Sequence, residues 1–244
     1  MSVSLFAATM RRILQQLRAD PRTIALIVVV PALLLTLLYF VYDGGPVFDG
    51  IALSMLGILP MLVMFLITSV AMLRERTTGT LERLFTTPVH RPDLLAGYAV
   101  AFSLAALVQA LVLIAVSVWG LDVSTTGPIA WVLLIAACAA AVGVATGLLA
   151  SAFARTEFQA VQFMPLFIGP QVFLCGLFTP HESMPQVLQW LSDALPMTYA
   201  VRALQAVGEQ ADPVGDVLRN VLVLAAFALG ALALAAASMP RRTR

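Results

Sequence analysis

Six stretches of the chain are almost entirely apolar, and each is long enough to cross a membrane as a helix. The hydrocarbon core of a bilayer is spanned by about 20 apolar residues in helical conformation, and longer stretches tilt or extend beyond it. The pattern therefore predicts an all-α membrane protein whose six transmembrane helices are residues 23–42, 51–73, 94–121, 127–154, 158–180 and 217–240.

The segment before the first apolar stretch has a different pattern. Between residues 3 and 19, apolar side chains recur at helical spacing, and arginine and glutamine fill the opposite face. Asp20 and Pro21 end the pattern. It predicts an amphipathic helix on the inner membrane surface, which serves either as a simple anchor or as a mechanical part.

The segment of residues 74–93 carries a shorter helical pattern. Leu81, Leu84 and Phe85 fall on one face of such a helix, beside charged neighbours. A short, mixed apolar and charged helix at the membrane surface suits docking to a cytoplasmic protein. The same segment also suits an interfacial loop whose arginines only fix the topology, and the pattern alone leaves both interpretations open.

Residues 181–212 combine helical spacing of apolar side chains with two prolines, Pro185 and Pro196. The prolines divide the segment into pieces that are shorter than a membrane span. The segment therefore predicts short re-entrant or interfacial helices at the outer side of the membrane.

Composition agrees with a membrane location, since 61% of the 244 residues are hydrophobic and only 11% are charged. Soluble domains carry about 25% charged residues. All 14 basic residues are arginine, and a Walker A phosphate loop requires a lysine. An ATP site of that type is therefore excluded in these residues, and we do not expect the chain to be an enzyme by itself.

The placement of the arginines predicts the orientation, because arginine is retained on the cytoplasmic side of membrane proteins. With the N-terminus inside, 12 of the 14 arginines lie on the cytoplasmic side, and only Arg202 and Arg219 lie outside. Both termini are therefore predicted to be cytoplasmic.

Acidic residues and histidines argue against two other functional classes. All 13 acidic residues lie outside the apolar stretches or at their edges, whereas ion-driven transporters need ionisable groups at membrane depth. His181 and Glu182 begin a sequence like the HExxH zinc motif, but position 185 is proline and His90 lies on the other side of the membrane. We therefore predict no catalytic residue and no metal site.

Two motifs carry a resemblance to a known family. The first reads ERTTGTLERLFTTP and matches the pattern E-R-x-x-G-T-L-E-x-L-x-x-T-P at Glu75, Arg76, Gly79, Thr80, Leu81, Glu82, Leu84, Thr87 and Pro88. The second is a Gly-x-Phe-x-Pro-x-x-x-x-Pro stretch followed by a Leu-Pro-x-Thr-Tyr stretch. It contains Gly176, Phe178, Pro180, Pro185, Leu195, Pro196, Thr198 and Tyr199.

In both motifs the chain resembles the ABC-2 type permeases, the membrane subunits of ATP-binding-cassette exporters that include the daunorubicin-resistance type. Leu195 stands where asparagine is common, and His181 is an unusual neighbour of Pro180. The resemblance covers nearly the whole chain as a single domain, residues 1–244. It implies the fold of these exporters, also called type V, with an N-terminal connecting helix at residues 3–19.

The resemblance also implies partners and sites. The permease works as a pair, with a second copy or a sister chain, above two cytoplasmic ATPase subunits that bind ATP and Mg²⁺; this chain itself would bind no cofactor. The first motif is similar to the coupling helix that docks into the ATPase. The second is similar to an extracellular gate, with Gly176, Phe178, Pro180, Pro185, Pro196 and Tyr199 as its residues.

A substrate pathway is expected between the second and fifth transmembrane helices. The candidates for its lining are Met61, Met64, Phe65, Thr68, Phe163, Phe167 and Gln171. Methionine and aromatic side chains suit adaptable apolar binding, although in membrane helices they also simply pack.

These observations predict a permease that exports a drug or lipid across a bacterial inner membrane. Polysaccharide or glycolipid export by the same superfamily and a non-transporting membrane scaffold are the alternatives.

Overall fold

The computed structural model describes residues 3–78 and 91–238, and within these ranges the backbone is helical and contains no strand. We number the helices in chain order. They are α1 (Val3–Ala19), α2 (Pro21–Tyr42), α3 (Gly45–Thr77), α4 (Arg91–Ala115), α5 (Ile129–Ser151), α6 (Glu157–Leu174), α7 (Gln186–Asp193), α8 (Pro196–Glu209) and α9 (Val214–Ser238). A π-helical turn, Val116–Gly120, continues α4, and a 3₁₀ turn, His181–Ser183, precedes α7.

The break between α1 and α2 follows from two residues. The Asp20 carboxylate accepts hydrogen bonds from the Thr23 backbone N–H (3.2 Å) and the Thr23 hydroxyl (2.7 Å), and it thereby caps the first turn of α2. Pro21 occupies the first position of α2, where its missing N–H is not needed. Helix α1 spans Val3–Ala19, the same residues over which the spacing predicts a helix.

Among the residues that the structure describes, five helices are long and apolar enough to cross a membrane. They are Pro21–Tyr42, Gly45–Thr77, Leu94–Gly120, Ile129–Ser151 and Val214–Ser238. They correspond to five of the six predicted transmembrane segments. The all-α membrane fold is therefore confirmed.

The remaining predicted segment, residues 158–180, forms a shorter helix than expected. It is α6, which has 18 residues, ends at Leu174 and is not among the five. The charge-free stretch continues to Pro180, but Gly176 has a φ of 97°, in the left-handed region that ends helices. The predicted C-terminal boundary is therefore wrong by six residues (180 against 174), and the count of six crossings stays a prediction.

At the centre of the protein, α3 packs against α5. A β-carbon on Gly143 would lie 2.9 Å from the Met61 carbonyl carbon, and one on Gly147 would lie 2.5 Å from the Phe65 carbonyl oxygen. The two glycines are four residues apart on one face of α5, so they let the two backbones approach closely, as small residues do in membrane helices. The α3–α5 pair is the core around which the other helices lie.

The helix α8 lies inside this arrangement rather than on its surface. It packs against α3, α5 and α9, and Met197, Ala200, Val201 and Leu204 are fully buried. The helix α7 differs, since Val187, Trp190 and Leu191 are more than half exposed. The two short helices that the prolines predicted therefore have different environments, one inserted and one at the surface.

Candidate functional site

Helix α1 and five helix termini meet at one end of the molecule, which we call the arginine-rich end. It contains α1, the starts of α2, α4 and α6, and the ends of α3 and α5. Arg74 on α3 binds Glu157 on α6 in a bidentate ion pair, with Nε–Oε1 at 2.7 Å and Nη2–Oε2 at 3.0 Å. Arg76 donates to the carbonyl of Ser151, the last residue of α5. A cation is favourable there, because the carbonyls at a helix C-terminus carry partial negative charge.

Glu75 and Arg76 are the two predicted docking residues that the structure describes, and both contact this chain. The Glu75 side chain is only 12% exposed and pairs with Arg12 of α1 at 3.4 Å. The other seven predicted docking residues lie outside the described residues, so their role stays a prediction. They are Gly79, Thr80, Leu81, Glu82, Leu84, Thr87 and Pro88.

A groove of about 780 Å³ opens at the arginine-rich end between α1, α2, α3, α4 and α6. Its walls are mostly apolar and include Leu26, Leu66, Ile67, Val70, Phe102 and Val161. Its mouth is polar, with Asp20, Arg74, Glu75 and Glu157. Hydrogen bonds from Thr23 hold the pKa of Asp20 below its usual value, so this carboxylate is ionised at neutral pH. An apolar wall and a charged mouth suit a molecule with an apolar body and a polar head.

The predicted pathway residues divide into two groups. On α3, the side chains of Met61, Met64, Phe65 and Thr68 are buried inside the protomer, so in this conformation they present no surface to a substrate. The groove is lined instead by their neighbours Leu66, Ile67 and Val70.

On α6, all three predicted pathway residues contact other parts of this chain. Phe167 is 41% exposed and stacks on Phe65 of α3, with 5.6 Å between ring centroids. Phe163 packs partly buried against the core. Gln171 is buried, and its Oε1 accepts from the Met197 backbone N–H at 3.3 Å. The structure thus brings α3 and α6 together as predicted, while the role of these residues in transport stays a prediction.

At the opposite end, the predicted gate residues lie at the helix boundaries. Gly176 follows α6, Pro185 precedes α7 and Pro196 begins α8. Phe178 is exposed and stacks on Phe173 with centroids 5.6 Å apart. Pro180 is exposed at the start of the 3₁₀ turn.

Hydroxyl groups connect α6, α7 and α8 at this end. The Ser192 hydroxyl donates to the Leu174 carbonyl (2.8 Å), and the Thr198 hydroxyl donates to the Ser192 carbonyl (2.8 Å). The Tyr199 hydroxyl donates to the Asp193 carbonyl at 2.7 Å. The ends of α6 and α7 and the start of α8 are therefore joined into one unit.

The Asp193 carboxylate also contacts two basic side chains. Its Oδ1 lies 2.8 Å from Arg202 Nη2 and 3.2 Å from His181 Nε2. These three residues line a polar cavity of about 780 Å³, together with Glu182, Glu209 and Arg219. His181 therefore belongs to a polar cluster around Asp193, and within the described ranges no three His, Cys, Asp or Glu side chains are grouped so that they could hold a metal ion.

Comparison with known proteins identifies the family. The protein-family model described as ABC-2 type transporter matches residues 3–207, from α1 into α8. The chain belongs to the ABC-2 type transporter family. The resemblance that the two motifs carry is therefore confirmed, and this family supplies the permease subunits of ABC transporters, which work with an ABC ATPase.

Relatives of this ABC-2 chain include bacterial and eukaryotic proteins. It is 27% identical over 176 residues to the probable multidrug ABC transporter permease YbhR of Escherichia coli, covering 71% of this chain and 48% of the relative. It is 28% identical over 156 residues to the linearmycin resistance permease protein LnrN of Bacillus subtilis, covering 64% and 40%.

A third relative is ABC transporter G family member 20 of Dictyostelium discoideum. It is 33% identical over 141 residues, which cover 58% of this chain and 19% of the relative. In each of the three relatives, the match covers less than half of the protein's length.

Several residues that make these contacts are absent from the predictions above. Gly143 and Gly147 have the small-xxx-small spacing that marks helix contacts in membranes, so this pair was visible in the sequence. The partnerships of Arg12 and Glu157 join residues far apart in the chain, and one sequence offers no pattern that pairs them.

Proposed function

We propose that this ABC-2 chain is the membrane-spanning permease subunit of an exporter that moves hydrophobic or amphiphilic molecules outward. A separate ATPase subunit supplies the energy. The observation that carries the proposal is the family match over residues 3–207, which includes the amphipathic helix α1 and continues into the inserted helix α8. The multidrug and linearmycin-resistance names of two relatives favour a drug-like cargo.

The groove at the arginine-rich end supports an amphiphilic substrate. Its apolar wall from Leu66 to Val70 accepts a hydrocarbon body, and Asp20, Arg74 and Glu157 at its mouth can solvate a polar head. An oligosaccharide would instead need stacking platforms and a polar wall along the groove. The groove therefore favours drug or lipid export over polysaccharide export.

The energy enters through segment 79–90. Since Glu75 and Arg76 contact α1 and α5 of their own chain, docking to the ATPase falls to the residues that follow them, Glu82 foremost. Two ATPase subunits and a second permease, the same chain or a sister, complete the exporter. ATP and Mg²⁺ are bound by the ATPase, which hydrolyses the nucleotide at the cytoplasmic side of the bacterial inner membrane.

Reconstitution tests this assignment. The chain is co-expressed with its genomically adjacent ABC ATPase, purified as a complex and placed in liposomes with a panel of amphiphiles. We expect ATP-dependent movement of at least one amphiphile and stimulation of ATPase activity by it. The variant Glu82→Lys should keep the permease in the membrane and abolish the stimulation.

Two results would contradict the assignment. If no ATPase copurifies from the native membrane, the chain is a scaffold rather than a permease. If Glu82→Lys transports normally, segment 79–90 is not the docking site. Stimulation by oligosaccharides alone would identify the polysaccharide class.

A further inference from the structure

The amphipathic helix α1 is bound to the two helices that flank segment 79–90. Arg12 on α1 donates through Nη2 to the Tyr98 hydroxyl of α4 at 2.7 Å, and its Nη1 lies 3.4 Å from Glu75 Oε2 of α3. The guanidinium carbon also lies 5.9 Å from the centroid of the Tyr98 ring. One side chain thus connects three helices at the arginine-rich end.

These contacts are largely removed from solvent. Tyr98 is 1% exposed, and the side chains of Glu75 and Arg12 are 12% and 29% exposed. Loss of one partner of a buried ion pair leaves the other charge uncompensated, which costs far more than loss of a surface pair. Removal of one member of the Arg12–Glu75–Tyr98 cluster is therefore expected to cost more than removal of one member of the exposed Arg74–Glu157 pair.

A second contact fixes the position of α1 along α4. A β-carbon on Gly97 would lie 2.8 Å from Thr9 Cγ2 and 3.7 Å from the Met10 backbone nitrogen. Helix α1 therefore touches the backbone of α4 one residue before Tyr98. With Ile13 buried one residue after Arg12, the helix has apolar and polar contacts to the same neighbour.

The positions of Glu75 and Tyr98 in the chain indicate what this cluster does. Glu75 lies two residues before the end of α3 at Thr77, and Tyr98 is the eighth residue of α4, which begins at Arg91. Arg12 therefore contacts both of the helix ends that flank segment 79–90.

We propose that Arg12 is a positioning residue that makes α1 and the two helix ends around segment 79–90 move as one unit. The inference rests on the proposed function, because it specifies how the motion of a docked ATPase spreads into the permease. It also gives Glu75 a role inside the chain, in place of contact with the ATPase. Helix α1 is then a moving part of the exporter rather than a simple anchor.

Distances between spin labels test the cluster without any transport. Gln15 on α1 and Val100 on α4 are both exposed, and each is replaced by a labelled cysteine in a background with alanine at Cys138 and Cys175. We expect a narrow distance distribution in the otherwise unchanged protein and a broad one in Arg12→Ala. The matched control is Arg11→Ala, which removes an exposed arginine at the neighbouring position and should leave the distribution narrow.

Coupling is then measured in the reconstituted complex with the ATPase. Arg12→Ala should lower the ratio of substrate-stimulated to basal ATPase activity by about fivefold or more, the size of a typical coupling between sites. Arg11→Ala should leave the ratio unchanged. The exchange Arg12→Glu with Glu75→Arg should recover part of the loss that each single reversal causes, which a loss of folding would not allow.

The outcomes separate this inference from the proposed function. A narrow distribution in Arg12→Ala, or equal loss of coupling in Arg11→Ala, overturns the role of Arg12 whether or not the complex transports. A broad distribution in a complex without any transport supports the cluster and contradicts the exporter. If Arg12→Ala does not accumulate, Tyr98→Phe is used in its place, because this variant removes the hydroxyl that accepts from Arg12. An unchanged ATPase ratio and an unchanged distance distribution in Tyr98→Phe would then overturn the inference.

Discussion

The central helices α3 and α5 and the peripheral helices α2 and α9 are built from similarly apolar sequences but have opposite environments. In the most apolar window of α3 and of α5, 67% of the residues are buried, against 17% in α2 and in α9. The most apolar of these helices is α2, one of the two least buried. Hydropathy therefore identifies which segments enter the membrane and says nothing about which of them lie at the centre. Lipid tails are as apolar as the protein interior, so burial against protein gains little hydrophobic energy.

Residue size separates the central helix α5 from the peripheral helix α2. The buried face of α5 contains Ala136, Ala139, Ala140, Gly143 and Gly147. On α2 the exposed side chains are large: Leu26, Val29, Leu33, Leu37 and Phe40. Small residues let helix backbones approach and gain dispersion contacts, whereas large ones fill space among lipid chains. The size pattern therefore distinguishes α5 from α2, whereas α9 is rich in alanine and still mostly exposed.

The largest expected effect comes from enlarging a glycine at the centre. Gly143→Val should prevent accumulation of folded protein, because its β-carbon meets the Met61 backbone, which cannot rotate away. Overpacking against movable side chains costs about 1–3 kcal/mol, and a backbone contact exceeds that. Fluorescence-detected size-exclusion chromatography of the detergent-solubilised protein measures the effect.

Gly230 on α9 is the matched control for this substitution. A β-carbon there meets no atom within 4 Å, so Gly230→Val should give a normal elution peak. Equal loss of the peak in both variants would show that the contrast between centre and periphery is wrong.

A smaller effect is expected where the neighbour of a central glycine can move. A β-carbon on Gly57 of α3 would lie 2.9 Å from Leu204 Cδ1 and 3.4 Å from the Ala200 β-carbon of α8. Gly57→Ala should therefore destabilise the protein by about 1–3 kcal/mol, seen as a lower melting temperature. Adding Leu204→Val, which removes the clashing methyl, should recover part of the loss; a double variant less stable than the expected sum of its singles would exclude this contact as the cause.

The smallest effect concerns the start of the peripheral helix α2. Since hydrogen bonds from Thr23 lower the pKa of Asp20, its folded-state pKa lies below the unfolded value of about 3.9. The capping contribution is therefore fully present above that pH and is lost as the pH falls through the folded-state pKa. Asp20→Asn keeps a capping oxygen but removes this titration.

Limited proteolysis near residue 20 at pH 7 and at pH 3, with an acid-stable protease, measures the fraying. We expect more cleavage at pH 3 in the unchanged protein and no change with pH in Asp20→Asn. The same pH dependence in both would mean that another group controls the start of α2.

Most of the fold followed from local patterns. The 3.6-residue spacing in residues 3–19 predicted α1, and Pro185 and Pro196 predicted the breaks before α7 and α8. The end of α6 was missed because Cys175 to Pro180 are uncharged, and a charge-free stretch does not reveal a left-handed glycine at position 176. Hydropathy does not detect a helix end that backbone conformation sets inside an apolar stretch.

The candidate sites were predicted less completely, because their partners are distant in the chain. Arg12 lies 63 residues from Glu75 and 86 from Tyr98, and no spacing rule connects them. The length of the apolar stretches predicts α3 and α6 as membrane segments, but the rotation of each helix decides which side chains line a groove. This is why Leu66 and Ile67 line it while Met64 and Phe65 are buried.

The helix α6 is held at both ends by bonds described above, at Glu157 by Arg74 and near Leu174 by Ser192 and Met197. At a rise of 1.5 Å per residue, its 18 residues form a helix about 27 Å long. This helix therefore connects the arginine-rich end directly to the unit that it forms with α7 and α8. The helix can shorten only by bending, and its two internal prolines, Pro165 and Pro170, mark where it would bend.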